Sequence, residues 1–436
     1  MSTVLGAVRR NTELGLMLMA GVLTAGAYTL AGLGRSASLP ANLVPFLLVI
    51  LGLLAVAHIA TRKLAPGADG ILLPLAGLLN GVGYVFIARL DPKLAGLQAL
   101  WTAFGVVAFV ATLAFVRRAR DIERLRYTFA LLGLGLLLVP LLPGIGRNIN
   151  GARLWVRLGT ITFQPGELAK IALCIFFASY LVEKQPLLTM GSRKVAGVWV
   201  PNVRHFGPIV LAWLFSLVVM FWERDLGSSL LFFALFIVLL WVATARGAYL
   251  GIGAVMFAGG AILAYKVFAH VQTRIAILID PWSVASGAGY QTVQALFAFA
   301  AGGVTGTNIA QGSPQRIPAV STDFIFAAIG EELGLLGTVA ILIAFLLMVG
   351  AGLRVAMRVE SPFEKLLAAG LTAIIGLQTF IILGGVTRLV PLTGITLPFV
   401  SYGGSSLISN YILLALLLRI SDDSRDRERS REMVAV

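Results

Sequence analysis

The sequence predicts an all-α membrane protein with about twelve transmembrane helices. Hydrophobic residues fill 58% of its 436 positions, and charged residues fill only 12%. Soluble domains usually carry about 25% charged residues. Apolar segments of about 17–25 residues, long enough to cross a bilayer as helices, recur along the chain with short polar stretches between them. No soluble catalytic domain is expected, so any chemistry must use residues of the spans and their loops.

Twelve segments have the length and composition of a transmembrane helix. The first follows Arg9 and Arg10 and resembles a signal peptide, but its length and the spans behind it indicate a retained signal anchor. The predicted spans lie near 14–33, 42–60, 70–88, 96–116, 127–143, 165–182, 207–222, 226–245, 250–269, 324–353, 366–386 and 403–420.

The distribution of Lys and Arg predicts the orientation of these spans. With the N-terminus inside, about 22 of the 34 Lys and Arg lie in the cytoplasm and about 10 outside, as the positive-inside rule requires. Both termini are therefore expected in the cytoplasm. The net charge of +14 is scattered over short loops, so membrane topology explains it and no nucleic-acid partner is expected.

Three segments are then external, and the longest of them covers 270–322. Loops of this length tend to be functional, and Gln291–Ala301 within it is typical of a short amphipathic helix at the membrane interface. The mixed-charge end, 421–436, is expected to be a disordered cytoplasmic tail.

Cysteine and histidine offer little chemistry. The single cysteine, Cys174, excludes an internal disulfide and lies in an apolar run, where helix packing explains it. The histidines, His58, His205 and His270, are far apart in sequence and predict no metal site.

The stretch FQPGELAK places two opposite charges at the start of a span. Pro165 suits a first helical turn, and Glu167 and Lys170 stand three residues apart on one face. One interpretation is an ion pair that orients the helix at the membrane edge. The other is that Lys170 meets an anionic substrate and Glu167 holds it, with Arg153 and Arg157 of the preceding loop nearby.

Two further polar segments are external. The turn WERDLGSS contains Glu223, Arg224 and Asp225, for which anchoring of helix ends is the simpler interpretation. In TGITLPFVSYGGSS, Pro398 and the Gly403–Gly404 pair break an apolar run, which is tolerated at membrane depth where the backbone lines a cavity or is covered by protein. Such broken helices also occur at transporter binding sites.

The stretch STDFIFAAIGEELG carries three carboxylates in an apolar setting. A charge in mid-bilayer costs at least about 2.5–3.5 kcal/mol, so each needs a reason. Asp323 suits a helix cap and equally a general base at the external mouth of a cavity. At least one of Glu331 and Glu332 is expected to face the bundle interior and pair with a cation.

These segments together resemble the SEDS family (shape, elongation, division and sporulation proteins). The matching pieces are NGARLWVRLGTITFQPGELAK, ERDLGSSL, GAGYQTVQALFAFAAGG, STDFIFAAIGEELG and LTGITLPFVSYGGSSLISNYILL, in the family's order. The resemblance implies a peptidoglycan glycosyltransferase that polymerises lipid II, the undecaprenyl-pyrophosphate-linked disaccharide-peptide, at the outer face of the bacterial cytoplasmic membrane during cell-wall elongation. It also implies a ten-helix core.

The resemblance assigns roles to individual residues. Asp323 matches the essential aspartate of the long external loop, and Glu167 and Lys170 match the conserved pair of the FQPxELxK motif. Arg153 matches the family's basic residue before that motif, although its spacing differs, and Ser321 stands where the family has a histidine. The matching motifs also contribute four candidate substrate-binding residues: Gln164, Asp225, Ser405 and Ser406.

The resemblance further implies a class B penicillin-binding protein as partner, besides lipid II and membrane lipids. A divalent cation, Mg²⁺ or Mn²⁺, is an open expectation with Asp323 as its candidate ligand, and no nucleotide or organic cofactor is expected. Residues 1–66 form an N-terminal addition of two helices and 67–420 form the core. Two rival functions stay open: a lipid II flippase, and a non-catalytic scaffold for the penicillin-binding protein.

Overall fold

The computed structural model is mostly helical. It describes residues 2–36, 43–149, 152–159, 161–189, 193–195, 198–200, 210–211, 214–215, 218–219, 222–223 and 225–434. Among the described residues, eleven helical segments are long and apolar enough to cross a membrane, and they match eleven of the twelve predicted spans. The remaining predicted span, near 207–222, lies mostly outside the described residues.

The α-helices are numbered here in chain order over the described residues. They are α1 (Ser2–Ser36), α2 (Leu43–Leu64), α3 (Leu72–Leu90), α4 (Pro92–Phe115), α5 (Arg126–Leu138), α6 (Gly166–Thr189), α7 (Leu226–Thr244), α8 (Ala248–Val267), α9 (Ala269–Ile279), α10 (Tyr290–Gly302), α11 (Ile325–Arg358), α12 (Pro362–Val386) and α13 (Gly404–Val434). Helix α10 confirms the short helix predicted at Gln291–Ala301.

Five short strands accompany the helices in the part of the chain that the structure describes. Strands β1 (Gly146–Ile149), β2 (Ala152–Leu158) and β3 (Ile161–Phe163) form one antiparallel sheet, and β4 (Arg193–Val195) pairs with β5 (Val198–Val200). The segment that contains β1, β2 and β3 was predicted only as a loop. Its Asn150–Gly151 pair between two apolar runs is a hairpin signal that could have indicated the sheet.

The chain divides into two compact units. Unit 1 comprises Met1–Arg117, Ala276–Arg354 and Gln378–Val436, and unit 2 comprises Arg118–Ile275 and Val355–Leu377.

Unit 1 is built around α4, which packs against α13, α2 and α3, while α1 packs on α3. Close approach of α4 and α13 depends on Gly105, because a Cβ there would lie 2.5 Å from the Tyr411 ring. The added N-terminal helices join α3 through stacked aromatic rings: the ring centroids of Phe46 and Tyr28 are 4.2 Å apart, and those of Phe46 and Tyr84 are 4.4 Å apart.

Arg419, in the middle of α13, binds the ends of two other helices. The buried Arg419 guanidinium donates to the carbonyls of Leu64, at the end of α2, at 2.8 Å and of Leu113 and Val116, at the end of α4, at 2.5 and 2.7 Å. It also pairs with Asp422 at 2.9 Å. These carbonyls have no intrahelical partner, so the guanidinium satisfies groups that would otherwise be buried without a hydrogen bond.

The structure differs here from the expected disordered tail at 421–436. Helix α13 continues to Val434, Asp422 accepts a hydrogen bond from the Gly67 amide at 2.6 Å, and Arg425 donates to the Gly67 and Ala68 carbonyls at 2.6 and 3.0 Å. The helix is extended here although the segment has no apolar periodicity, because two of its charged residues, Asp422 and Arg425, bind backbone groups of the 65–69 turn. Residues 435–436 lie outside the described part of the chain.

Replacing Arg419 with lysine is expected to destabilise the protein by about 1–3 kcal/mol. Lysine keeps the charge, but its point-like ammonium cannot reproduce the planar fork that reaches three carbonyls and a carboxylate, so buried acceptors are left unsatisfied. The measurement is the thermal unfolding midpoint in detergent, with Arg120→Lys as the control because Arg120 is exposed. Equal midpoints for both variants would show that the Arg419 contacts contribute nothing to stability.

Unit 2 is built around α6, which packs against α5 and α7. Cys174 is buried and unbridged on α6, and a Cβ at Gly370 of α12 would lie 2.5 Å from its sulfur. The interpretation of Cys174 as a packing residue is confirmed.

Helix α11 is interrupted at Gly334, a break that the sequence analysis missed. Gly334 has φ 65° and ψ −162°, and a Cβ there would lie 2.3 Å from the Gly306 nitrogen, so both conformation and contact require glycine. The amides freed by the break donate to the long loop: Leu335 to the Gly303 carbonyl at 3.0 Å and Leu336 to the Val304 carbonyl at 3.2 Å.

Candidate active site

Asp323 lies in unit 1 at the end of the long loop, two residues before α11 begins. Its side chain is half-buried. The turn that carries it is closed by the Ala319 carbonyl, which accepts from the amides of Thr322 and Asp323, both at 3.2 Å. Ala319 has φ 55°, a left-handed conformation uncommon for a residue with a side chain. The carboxylate is thus held at a defined turn and keeps some access to its surroundings, as a base requires.

The segment between α12 and α13 flanks this turn. The Tyr402 amide donates to the Ser321 carbonyl at 2.8 Å. Gly394 has φ 77°, and a Cβ on it would lie 3.8 Å from Asp323 Oδ2. The predicted break in the apolar run is present, since α12 ends at Val386 and α13 begins at Gly404. The non-helical backbone therefore borders the candidate base.

Two glutamates anchor the loop that leads to Asp323. Glu331 Oε1 accepts from the Ser313 amide at 2.7 Å, and Glu332 Oε2 accepts from the Ala310 amide at 3.0 Å. The Thr307 amide donates to the Glu331 carbonyl at 2.9 Å. The loop is fastened to the first turns of α11, which limits its freedom to move relative to that helix.

The expectation that a buried glutamate pairs with a cation is confirmed. Arg89, at the end of α3, lies 2.6 Å from Glu332 Oε1, with side chains 9% and 0% exposed. The guanidinium also donates to the Gly312 carbonyl at 2.9 Å and to Gln315 Oε1 at 3.3 Å. Sequence reasoning predicted the pair and missed Arg89 itself, although an arginine at the end of an apolar span was a possible signal.

Glu167 and Lys170 lie in unit 2 on the first turns of α6. Lys170 Nζ donates to Glu167 Oε2 at 2.6 Å, and their side chains are only 2% and 11% exposed. The predicted shared helix face is confirmed, and the pair is buried. The amides of Leu168 and Ala169 both bond to the Pro165 carbonyl at 3.0 Å, so the helix begins where the proline predicts. Gln164, just before it, is half-buried.

Arg153 lies on β2, on a basic face of the sheet that β1, β2 and β3 form. Residues 153, 155 and 157 alternate onto one side of the strand, and Arg147 of β1 is opposite Trp155 in the register. Arg147, Arg153 and Arg157 are exposed. This sheet face presents three guanidinium groups to the outside of unit 2, as contact with an anion would require.

Asp225 caps α7. Its carboxylate accepts from the Ser228 amide at 3.0 Å and from the Ser228 hydroxyl at 2.5 Å. Burial raises the pKa of Asp225, and burial together with the Asp225 charge raises the pKa of Glu223 to about 9, so Glu223 is protonated at neutral pH. The anchoring interpretation of this turn has direct support, and a substrate contact by Asp225 stays a prediction. Arg224 lies outside the described residues.

Ser405 and Ser406 open α13 in unit 1, and both are buried. The Ser406 hydroxyl accepts from the Thr396 hydroxyl at 2.8 Å and from the Asn410 amide at 3.3 Å. The Thr396 bond joins the start of α13 to the segment that flanks Asp323, whereas the bond from the Asn410 side-chain amide lies within α13. Their role toward substrate stays a prediction.

A protein-built metal site is not found in the described part of the chain. No group of three or more His, Cys, Asp and Glu side chains there could hold an ion. Mg²⁺ that also binds substrate phosphates needs only one or two carboxylates, so the expectation of a divalent cation at Asp323 stays a prediction.

Comparison with known proteins identifies the family. The model of the FtsW/RodA/SpoVE cell cycle proteins matches residues 89–426. The chain belongs to this family, the SEDS proteins. One SEDS relative, the peptidoglycan glycosyltransferase RodA of Mycobacterium tuberculosis (strain ATCC 25618 / H37Rv), is 45% identical over 435 residues, covering 97% of this chain and 92% of RodA. That alignment therefore takes in most of the two N-terminal helices.

Two further matches are less similar in sequence to this chain. A probable peptidoglycan glycosyltransferase FtsW of Geobacter sp. (strain M18) is 37% identical over 295 residues, covering 66% of this chain and 77% of FtsW. A solved chain from a peptidoglycan synthase complex, studied for its coordination of polymerization and crosslinking, superposes with a TM-score of 0.67 at 27% identity, covering 82% of this chain and 98% of that one. The similarity is thus greater to the RodA relative than to this FtsW relative.

Proposed function

We infer that the protein is a peptidoglycan glycosyltransferase of the RodA type, which polymerises lipid II at the outer face of the cytoplasmic membrane. The observation that carries the inference is the half-buried Asp323, which is held at a turn beside non-helical backbone. The chain is a SEDS protein, and its relative from Mycobacterium tuberculosis is named a peptidoglycan glycosyltransferase. Both termini are proposed to lie in the cytoplasm, on the charge distribution of the loops.

Asp323 is proposed as the general base. Its carboxylate accepts the proton of the GlcNAc 4-hydroxyl of lipid II as that oxygen attacks the anomeric carbon of the donor sugar. A carbon–oxygen bond forms with inversion, the bond from the anomeric carbon to the pyrophosphate breaks, and the lipid pyrophosphate leaves with the bonding electron pair. The base need only be close to the hydroxyl in the substrate complex.

Lys170 is proposed to stabilise the departing pyrophosphate electrostatically, with Arg153 as a second cation. Fixed positive charge in a partly dry site stabilises developing negative charge far better than water does. Glu167 orients Lys170 through the 2.6 Å bond on α6. Gln164, Asp225, Ser405 and Ser406 remain proposed substrate contacts. The exposed Arg153 is the more accessible cation in the absence of substrate.

A class B penicillin-binding protein is the proposed partner. The support is the similarity to a chain from a complex that coordinates polymerization with crosslinking. A glycan polymerase and a peptide crosslinker act on the same product, so their association has an evident use.

Product analysis tests the function directly. The purified chain, with and without its partner, is incubated with lipid II, and the products are separated on a gel. We expect a ladder of glycan strands. A flippase would instead move lipid II across a vesicle membrane without forming a ladder. A scaffold would give no ladder by itself, and any ladder would appear only with the partner, through the partner's own activity. Absence of a ladder under all conditions, with lipid II translocation present, would favour the flippase.

A further inference from the structure

Ser401 binds the peptide group that carries Asp323. The Ser401 hydroxyl donates to the Thr322 carbonyl at 2.5 Å. That carbonyl and the Asp323 amide belong to one planar peptide unit, and the amide end donates to Ala319 at 3.2 Å. Both ends of the unit are therefore held. Ser401 is only 4% exposed, so water does not compete for this contact.

The same hydroxyl is itself fixed. It accepts from the Leu397 amide at 2.9 Å, while the Ser401 amide donates to the Leu397 carbonyl at 3.0 Å. With one donor bond and one acceptor bond, the hydroxyl has a single favourable orientation. Through these two bonds, Ser401 fixes the position of the Thr322–Asp323 peptide relative to the turn that begins at Leu397.

The turn that presents Ser401 is strained and held by packing. Residues Leu397–Val400 form a turn closed by the Val400 amide and the Leu397 carbonyl at 3.2 Å. Its third residue, Phe399, has φ 62°, where such turns normally have glycine. Phe399 is 1% exposed and meets the Tyr411 ring edge-on at 5.6 Å. A conformation of this kind persists only where surrounding structure enforces it, and it often marks a functional site.

We propose that Ser401 is a positioning residue for catalysis, which acts by fixing the Thr322–Asp323 peptide and hence the direction of the Asp323 carboxylate. The proposal rests on the proposed function, in which Asp323 is the base. Ser401 does not touch substrate in this scheme. Its loss should therefore lower the rate of the chemical step and leave substrate affinity nearly unchanged. Replacement of a serine with a merely structural role would change only the fraction of folded protein.

The test compares Ser401→Ala, Ser401→Thr and Ser283→Ala in the purified full-length protein with lipid II, per folded molecule. The control, Ser283, is exposed, and its hydroxyl donates to the Asp280 carbonyl at 2.9 Å, so the same type of bond is removed elsewhere. We expect S401A to lower kcat about 10–100-fold with KM within about threefold, since a small misplacement of a catalytic group has effects of this size. S401T should recover most of kcat, and S283A should match the wild type.

Three outcomes would overturn the proposal. They are an unchanged kcat in S401A, an increase in KM as large as the decrease in kcat, or a kcat in S401T that is no higher than in S401A. Should S401A fail to fold, Ser401→Cys carries the same expectation, because it keeps the volume and supplies only a weak donor. Asp323→Asn is measured in parallel. If that variant polymerises normally, the proposed function's base is wrong; if it is inactive while S401A is normal, only the role of Ser401 is refuted.

Discussion

Replacement of Asp323 by asparagine should lower the polymerisation rate by about 10²–10⁴-fold while the protein stays folded. Loss of a well-placed general base has an effect of this size. Asparagine is nearly isosteric and caps helices as well as aspartate does, so the change removes the base and preserves any capping role. The measurement is the initial rate of glycan formation from lipid II, with folding monitored by size-exclusion chromatography.

Asp91 provides a matched control for this substitution. It is also half-buried, and its carboxylate caps α4 by accepting from the Lys93 amide at 2.8 Å. Asp91→Asn should keep both stability and activity. If Asp323 were only a cap, Asp323→Asn would behave in the same way. Activity within threefold of the wild type in both variants would therefore remove Asp323 from the mechanism.

The membrane architecture could be predicted from sequence because hydropathy is a local property. Each span can be recognised from its own length and composition, and eleven of the twelve expected segments are present as helices in the described part of the chain. The break at Gly334 was missed because an isolated glycine inside a predicted span is tolerated in a helix and does not by itself indicate a break. The backbone amides that the break frees donate to the carbonyls of Gly303 and Val304, and sequence spacing alone does not place these two residues beside the break.

The same distinction between local and distant contacts applies to the candidate site. The pairing of Glu167 with Lys170 follows from helical spacing and was predicted. A buried Glu332 had to have a cationic partner, but its identity as Arg89 depends on tertiary packing. The segment TGITLPFVSYGGSS was singled out from the sequence, but Ser401 within it was not, because its proposed role depends on one bond to a carbonyl of a distant segment.

Chain ends are hard to judge from composition. The residues after 420 have the charge content of a disordered tail, yet Asp422 and Arg425 bind backbone groups of the 65–69 turn. Composition measures how much apolar surface a segment can bury, and it does not count hydrogen bonds to unsatisfied carbonyls. Such a helix extension can be anticipated only when the acceptors are known.

Replacement of Lys170 by methionine should both destabilise the protein, by about 3–5 kcal/mol, and abolish polymerisation. The pair is almost fully buried, and the substitution removes the ammonium that lies 2.6 Å from the Glu167 carboxylate, which remains in a buried position. Stability is measured as the thermal midpoint in detergent and activity as glycan formation. Lys184→Met is the control on the same helix, because Lys184 pairs with Glu183 at an exposed position and its loss should leave the thermal midpoint nearly unchanged.

The double variant Glu167→Met/Lys170→Met separates structure from chemistry. With both charges gone and similar volumes kept, the buried desolvation penalty disappears, and stability should return to near that of the wild type or above it. Polymerisation should stay abolished, because no cation remains on the first turns of α6 to stabilise the leaving pyrophosphate. If the double variant regains activity together with stability, the pair only orients the helix, and Arg153 and the other exposed arginines of the β1–β2–β3 sheet become the candidates for binding the pyrophosphate.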